Sequence, residues 1–210
     1  KMLLQADYIL SWDEGLKIYN RGEMIIDNSW ITYLGPRREY PADYFDRVLA
    51  IRDSLVIPGL INTHTHAAMT LFRGYADDLS LQEWLQNKIW PAEAKLKSED
   101  IYWGTQLAIA EMLKGGTTCF ADMYFHMDEV ARACLESGIR ASLAQGLIGT
   151  DKIKGALGLQ QSRSLVQNWH NEGEGRITVM LGPHAPYTCP PHYLRKVGEL
   201  AGELQVPIHI

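Results

Sequence analysis

Two histidines, His64 and His66, are the residues of this chain whose type and spacing point most directly to chemistry. Side chains alternate across a strand, so residues two apart project from the same face. Leu55, Val56, Ile57, Leu60 and Ile61 make the approach apolar, as a buried strand requires, and Pro58-Gly59 interrupts it. Two imidazoles leaving one strand end together are pre-placed to bind a single divalent metal, most often zinc. With seven histidines in the chain, a chance pair is the bland alternative. The polar stretch that carries the pair, where ligands are usually presented, favours the metal. His64 and His66 are therefore the predicted metal ligands.

His184 sits in Gly182-Pro183-His184-Ala185-Pro186-Tyr187, where two prolines restrict the loop and hold the imidazole still. Glu93 follows Trp90-Pro91-Ala92 in an excursion too long for a plain strand-to-helix link, and such loops usually carry function. Composition alone would make it a solvated charge in Glu93-Ala94-Lys95-Leu96-Lys97. Asp122 ends an apolar run. It either receives the second N–H of a metal-bound imidazole or ties down the rim around the site, and the sequence leaves both open. His126, His170 and His192 lie in helical or polar stretches and read as surface residues.

The elements that must position these groups come in two rhythms. Leu3 to Leu10, Met24 to Ile26, Trp30 to Leu34 and Val48 to Ile51 are short β-like runs between polar turns such as Asp27-Asn28-Ser29. Residues 1–56 are accordingly expected to form part of a β-sandwich. After Ile57 strands and helices alternate. Ser98 is a candidate cap for a helix with Tyr102, Thr105, Ile109, Met112 and Leu113 on one face, ending at Gly115-Gly116. Strands are expected at Thr117 to Met123, Arg140 to Leu147, Ile177 to Leu181 and Val206 to Ile210. The intervening helices carry the stripes Met127, Val130, Ala131, Cys134 and Leu135, then Leu165, Val166 and Trp169, then Leu194, Val197, Leu200, Ala201 and Leu204.

Alternation of this kind implies an α/β fold with a parallel sheet. A doubly wound open sheet competes with a (β/α)₈ barrel, but no Gly-x-Gly-x-x-Gly follows the first strand. His64, His66, Asp122, Tyr124, Gln145 and His184 all follow strand C-termini, where barrel enzymes build their sites. Residues 57–210 therefore read as the first half of a barrel, stopping at its fifth strand.

Bulk properties narrow the partners. The 210 residues are 46% hydrophobic and 21% charged, as in a globular protein. A net charge of −5 argues against a nucleic-acid groove, which needs a concentrated basic face. No apolar run is long enough to span a bilayer, and Lys1-Met2-Leu3-Leu4 does not open a signal peptide. Cys119, Cys134 and Cys189 are odd in number and widely spaced, without a Cys-x-x-Cys pair or disulfide framework, so a reducing cytoplasm is expected. Cys189 has no basic neighbour in sequence to make it a nucleophile.

From about Leu55 to its last residue the chain resembles the amidohydrolase superfamily, whose barrels open on a strand carrying His-x-His. The run Ala67-Ala68-Met69-Thr70-Leu71-Phe72-Arg73-Gly74-Tyr75-Ala76-Asp77-Asp78-Leu79 is similar to the 5-methylthioadenosine/S-adenosylhomocysteine deaminase group. So are Trp84-Leu85, Trp90-Pro91-Ala92-Glu93, Asp122-Met123-Tyr124-Phe125 and the His184 loop. The resemblance implies a zinc-dependent deaminase of an adenosine-type nucleoside, a homo-oligomer, and a small β-domain completed by strands from the far C-terminus. It implies that Glu93 binds the ribose hydroxyls, Trp84 walls the pocket near the 5′ substituent, and His184 contacts the purine or ribose. Guanine or triazine hydrolysis is the alternative within the branch, and a non-catalytic barrel homologue the alternative outside it.

The family's third histidine ligand is the second His of a His-x-His-x-x-Glu pattern. Aligned on Pro207 it falls at position 211, so His209 is left out of the metal set and the catalytic acid/base Glu is expected beyond Ile210. Some relatives carry a substrate-binding Arg where this chain has Gln145, and the 149–159 loop offers only Lys152 and Lys154. Together with the apolar Met69, Leu71 and Phe72, this predicts a preference for a neutral 5′-methylthio group over an amino-acid tail.

Overall fold

A computed structural model of the chain describes residues 1–12 and 15–210, which divide into two compact units, Lys1–Gly59 and Leu60–Ile210. The first is one five-stranded sheet centred on β1 (Met2–Ser11). Strands β2 (Lys17–Asn20) and β3 (Gly22–Asp27) pair antiparallel with β1 in a single register, Tyr8 opposite Asn20 and Met2 opposite Ile26. They thus act as one strand broken at Arg21, whose φ is +49°. The two-residue turn Asn28-Ser29 then leads to β4 (Trp30–Pro36), and Asn28 takes the positive φ that such a hairpin needs. Strand β5 (Arg47–Val56) runs parallel to β1. The described residues of this unit form a single sheet layer. Among the described residues of this unit the one fully buried carboxylate, Glu23, accepts from Gln5 Nε2, the Arg38 N–H and the Tyr40 hydroxyl, which satisfies it and pins the segment after β4.

The second unit is the frame for the site. Strands β6 (Leu60–Thr65), β7 (Thr117–Tyr124), β8 (Arg140–Leu147) and β9 (Ile177–Pro183) lie side by side in sequence order, all parallel. Ile208 adds a parallel bridge to Leu181 of β9, where the sequence predicts a fifth strand. Helices α1 (Ser98–Lys114), α2 (Met127–Ser137), α3 (Lys152–Trp169) and α4 (Pro191–Leu204) separate or follow the strands. Ser98 is the first helical residue rather than the cap. Lys97 caps, and its N–H is held by the Asp100 carboxylate at 2.8 Å. Gly138 closes α2 with φ +78°, the left-handed stop that the sequence marks.

Register explains which side chains face where. Met123, Ala144 and Met180 stand opposite one another across β7, β8 and β9 and form a small cluster of their own on one face. One residue earlier, the row Asp122, Leu143 and Val179 points the other way, toward the layer of Ile101, Ile109, Val130, Cys134 and Leu165 from the helices.

One sequence expectation needs correcting. Leu55 and Val56 belong to β5, not to the histidine strand, which starts only at Leu60 after the Pro58-Gly59 break. The approach is also not buried, because Leu55, Ile57, Leu60 and Ile61 are all more than half exposed.

Candidate functional site

His64 lies in β6 and His66 just beyond it. As i and i+2 partners they share a face, and their ring centroids are 5.3 Å apart. His66 Nδ1 is 2.6 Å from the Met123 carbonyl oxygen. A carbonyl only accepts, so Nδ1 carries the proton and the Nε2 lone pair is left for a ligand. That is the arrangement a metal-binding imidazole usually has. His209 sits nearby, its ring centroid 6.5 Å from that of His64, with its backbone N–H on the Leu181 carbonyl. Among the described residues no group of three or more His, Cys, Asp or Glu could hold a metal. The donor set present, two adjacent imidazoles with one already oriented, fits a divalent ion as part of a larger ligand shell.

Asp122 answers the question the sequence left open. Its Oδ1 accepts from the Ala67 N–H at 2.9 Å and from the Thr65 hydroxyl at 2.7 Å, a hydroxyl it shares with the Ala121 carbonyl at 2.8 Å, so it meets the residues on either side of His66. The proton of His66 goes to Met123 instead, so Asp122 acts on the backbone around the imidazole and not on the ring. Burial pushes its carboxyl up to about 6, against the pull of these hydrogen bonds and of His66.

Between β6 and α1 the chain makes a long detour. A 3₁₀ turn, Ala67–Phe72, follows His66 directly. A helical segment then opens at Leu81–Glu83 under a capping box in which Ser80 and Glu83 exchange side-chain and backbone hydrogen bonds. It widens into a π turn over Trp84–Ile89 and closes at Trp90–Glu93. The Trp90 N–H reaches back five residues to Leu85, and Pro91 follows. A proline has no N–H to give and crowds the turn before it, and the wider turn accommodates that.

This detour brings Trp84 and Glu93 to the strand ends. A cavity of about 120 Å³ there is lined by His66, Trp84, Glu93, Tyr124, His184 and Thr188, with Met69, Leu85, Ile89, Met123 and Ile148 supplying apolar wall. The predicted His66, Glu93, Trp84 and His184 thus converge on one space, with His64 beside His66. Glu93 Oε1 accepts the Tyr124 hydroxyl at 2.7 Å. Burial raises the Glu93 carboxyl above its ordinary range, while Tyr124 and His66 pull it down. Tyr124 is pushed up in turn by burial and by Glu93. His184 Nδ1 is 2.9 Å from the Thr188 hydroxyl oxygen, and that hydroxyl is placed to donate to the Ala185 carbonyl. With Nδ1 engaged by Thr188, Nε2 is the ring nitrogen left for the cavity that His184 lines. Burial, and then the neighbouring His66, hold the His184 pKa below its ordinary value.

Three groups were not singled out for these roles in the sequence: Tyr124 as the partner of Glu93, Thr188 as the partner of His184, and Met123 as the acceptor for His66. The last acts through a backbone carbonyl, which residue type does not reveal. Two expectations shift. Of the apolar run, Met69 lines the cavity, whereas Leu71 is 44% exposed. Gln145 faces a wider hollow of about 600 Å³, together with Gln160, Gln161 and Ser164 of α3. It stands in the ladder row of Tyr124 and Leu181, one residue out of phase with Met123. The hollow and the cavity share Trp90, Glu93, Tyr124 and Phe125.

Residues 55–210 match the amidohydrolase family model. The chain belongs to the amidohydrolase family. It is 55% identical over its whole length to the 5-methylthioadenosine/S-adenosylhomocysteine deaminase of Syntrophomonas wolfei, covering 48% of that protein. To the protein of the same name from Moorella thermoacetica it is 53% identical over 92% of the chain and 45% of that relative. The chain thus spans about half the length of the curated relatives it matches. A crystal structure described as an adenosine deaminase from Xanthomonas campestris with bound zinc aligns over the full chain and 48% of its own, at 34% identity and TM-score 0.84. The zinc complex of atrazine chlorohydrolase from Arthrobacter aurescens aligns at TM-score 0.88 and 20% identity, a likeness of fold alone. Within the family fold, the chain supplies the N-terminal part of the barrel with a sheet-rich region before it.

Proposed function

We propose that this chain is the N-terminal half of a zinc-dependent deaminase that hydrolyses the 6-amino group of an adenosine-type nucleoside. The observation that carries the reading is the convergence of His66, Glu93, Trp84 and His184 on one cavity at the strand ends, beside a second imidazole on the same strand. Water adds at C6 of the purine, the amino group leaves as ammonia, and the ring is left with a carbonyl. When bound, a divalent ion supplies the Lewis acidity that makes water nucleophilic at neutral pH. His64 and His66 hold that ion, and Met123 keeps His66 in the tautomer that can. Glu93, fixed by Tyr124 through one of its acceptor sites, has others left for the vicinal ribose hydroxyls. His184 presents Nε2 to the base or the sugar, and Trp84 closes the wall. The proton transfers are assigned to no residue of these 210.

Among the described residues no Lys or Arg lines the cavity or the adjoining hollow, so a neutral 5′-methylthio group suits these walls better than a zwitterionic tail. Losing a charge-assisted hydrogen bond costs about 1.5–3 kcal/mol, roughly ten- to a hundred-fold in specificity. The test is ammonia release by the native protein that carries these residues, with 5′-methylthioadenosine, S-adenosylhomocysteine, guanine and a chloro-triazine as substrates. We expect turnover of the adenosines, with kcat/KM favouring 5′-methylthioadenosine about tenfold or more. Turnover of guanine or the triazine alone would reassign the activity. Equal values for the two adenosines would defeat only the preference.

A further inference from the structure

We infer that Asp122 is a positioning residue for the metal, and that its negative charge, beyond its hydrogen bonds, strengthens ion binding at His66. The inference rests on the proposed assignment of His66 as a ligand. Asp122 lies on the helix-facing side of β7, in the apolar layer that holds Leu143, Val179 and Cys134, and is 1% exposed. From behind the strand its Oδ1 grips the Ala67 N–H and the Thr65 hydroxyl, so the peptide segment on both sides of His66 is held. The backbone carbonyl of the next residue of the same strand, Met123, accepts from His66 Nδ1–H. Two consecutive residues of β7 therefore fix one imidazole, one through its backbone and one through its ring.

Hydrogen bonding alone does not account for a carboxylate here. An asparagine would offer the same Oδ1 acceptor to both donors without placing a charge among apolar side chains, and a buried charge is costly unless paired. Yet Asp122 Oδ2 is buried with no hydrogen-bond partner among the described residues. A sequence that keeps a carboxylate in its core with one oxygen left without a hydrogen bond departs from the rules of packing, and such departures concentrate where function needs them. A cation held by the imidazole that this carboxylate flanks is the partner that makes the charge favourable. Groups standing behind metal ligands commonly change metal affinity ten- to a hundred-fold.

The test uses the native protein, stripped of metal with a chelator and titrated with zinc against a competing indicator. Asp122→Asn should weaken zinc binding roughly 10- to 100-fold. The melting temperature of its metal-free form should be equal to or above that of the unaltered protein, since a buried charge has gone. Thr65→Val, which removes one tie and keeps the charge, should weaken zinc binding less. His66→Ala separates the two levels of the argument. If that variant binds zinc normally, the ligand assignment itself fails. If it loses zinc while Asp122→Asn binds normally, only the present inference fails. A metal-free Asp122→Asn that melts lower or does not fold would make the carboxylate structural and overturn the inference. So would a Thr65→Val that loses as much zinc affinity as Asp122→Asn.

Discussion

Glu93 shows how a residue that composition reads as a solvated charge becomes a buried acceptor. The helical segment from Leu81 carries it to the strand ends, where Tyr124 donates to it. Opposing influences then set its proton affinity, with His66 adding to the downward pull. Burial raises it, and the Tyr124 hydrogen bond, which favours the carboxylate, lowers it. Tyr124→Phe removes the second and leaves the first, so the Glu93 carboxyl should rise further. Only the ionised form accepts from two ribose hydroxyls without a competing proton. Binding that depends on it is therefore lost as pH falls through the Glu93 pKa, and in the variant that loss should begin at higher pH. The acid limb of kcat/KM for 5′-methylthioadenosine should move upward, and an unmoved limb would separate Tyr124 from the carboxylate. None of this was readable before the fold. The sequence showed Glu93 and the phrase Asp122-Met123-Tyr124-Phe125, but not that the tyrosine and the glutamate meet across 31 residues.

At the scale of elements, α1 braces the turn that follows His66 through a glycine. A Cβ at Gly104 would lie 2.7 Å from the Ala68 carbonyl oxygen and 3.1 Å from its Cα, so the helix packs directly on the backbone of the turn that follows His66. The Gly104 carbonyl also accepts from Thr70 at 2.8 Å. Gly104→Ala gains about 1 kcal/mol of helix propensity but must push that backbone away. Overpacking of this kind costs about 1–3 kcal/mol, so the variant should be less stable, with a lower urea midpoint at unchanged slope. A higher midpoint would mean that the turn yields freely. The main helices and parallel strands were legible because their apolar periods are strong and their ends are marked, as at Gly115-Gly116 and Gly138. Strand β2 was missed because Lys17-Ile18-Tyr19-Asn20 is short, and none of its side chains is buried. The π turn escaped because nothing in Trp84–Ile89 itself signals it, and the cause is the proline that follows. The site's outline was legible in the same measure. His64, His66 and His184 could be placed from strand ends and prolines. Gln145 lines the hollow that adjoins the cavity, in the row of Tyr124, a detail of phase that its place at a strand end does not give.

For the whole molecule, the decisive quantity is apolar surface on the barrel unit. Leu60 is 53% and Ile61 66% exposed in β6, which pairs with β7 alone among the described strands of its sheet. Past β9, Ile208 makes a single bridge, and it and Ile210 are 46% and 62% exposed. Unpaired edges flanked by large aliphatic side chains template association with other chains. Relatives about twice as long align with this chain across its whole length, so their additional residues are available to cover such edges and to contribute the rest of a metal shell. On this argument the 210 residues expressed alone should self-associate and show no deaminase turnover, even with zinc supplied. Light scattering and an ammonia assay on the same preparation would check both. A monodisperse preparation of the 210 residues that deaminates 5′-methylthioadenosine would require every ligand and proton carrier to lie within them, and the proposed division of labour would fall.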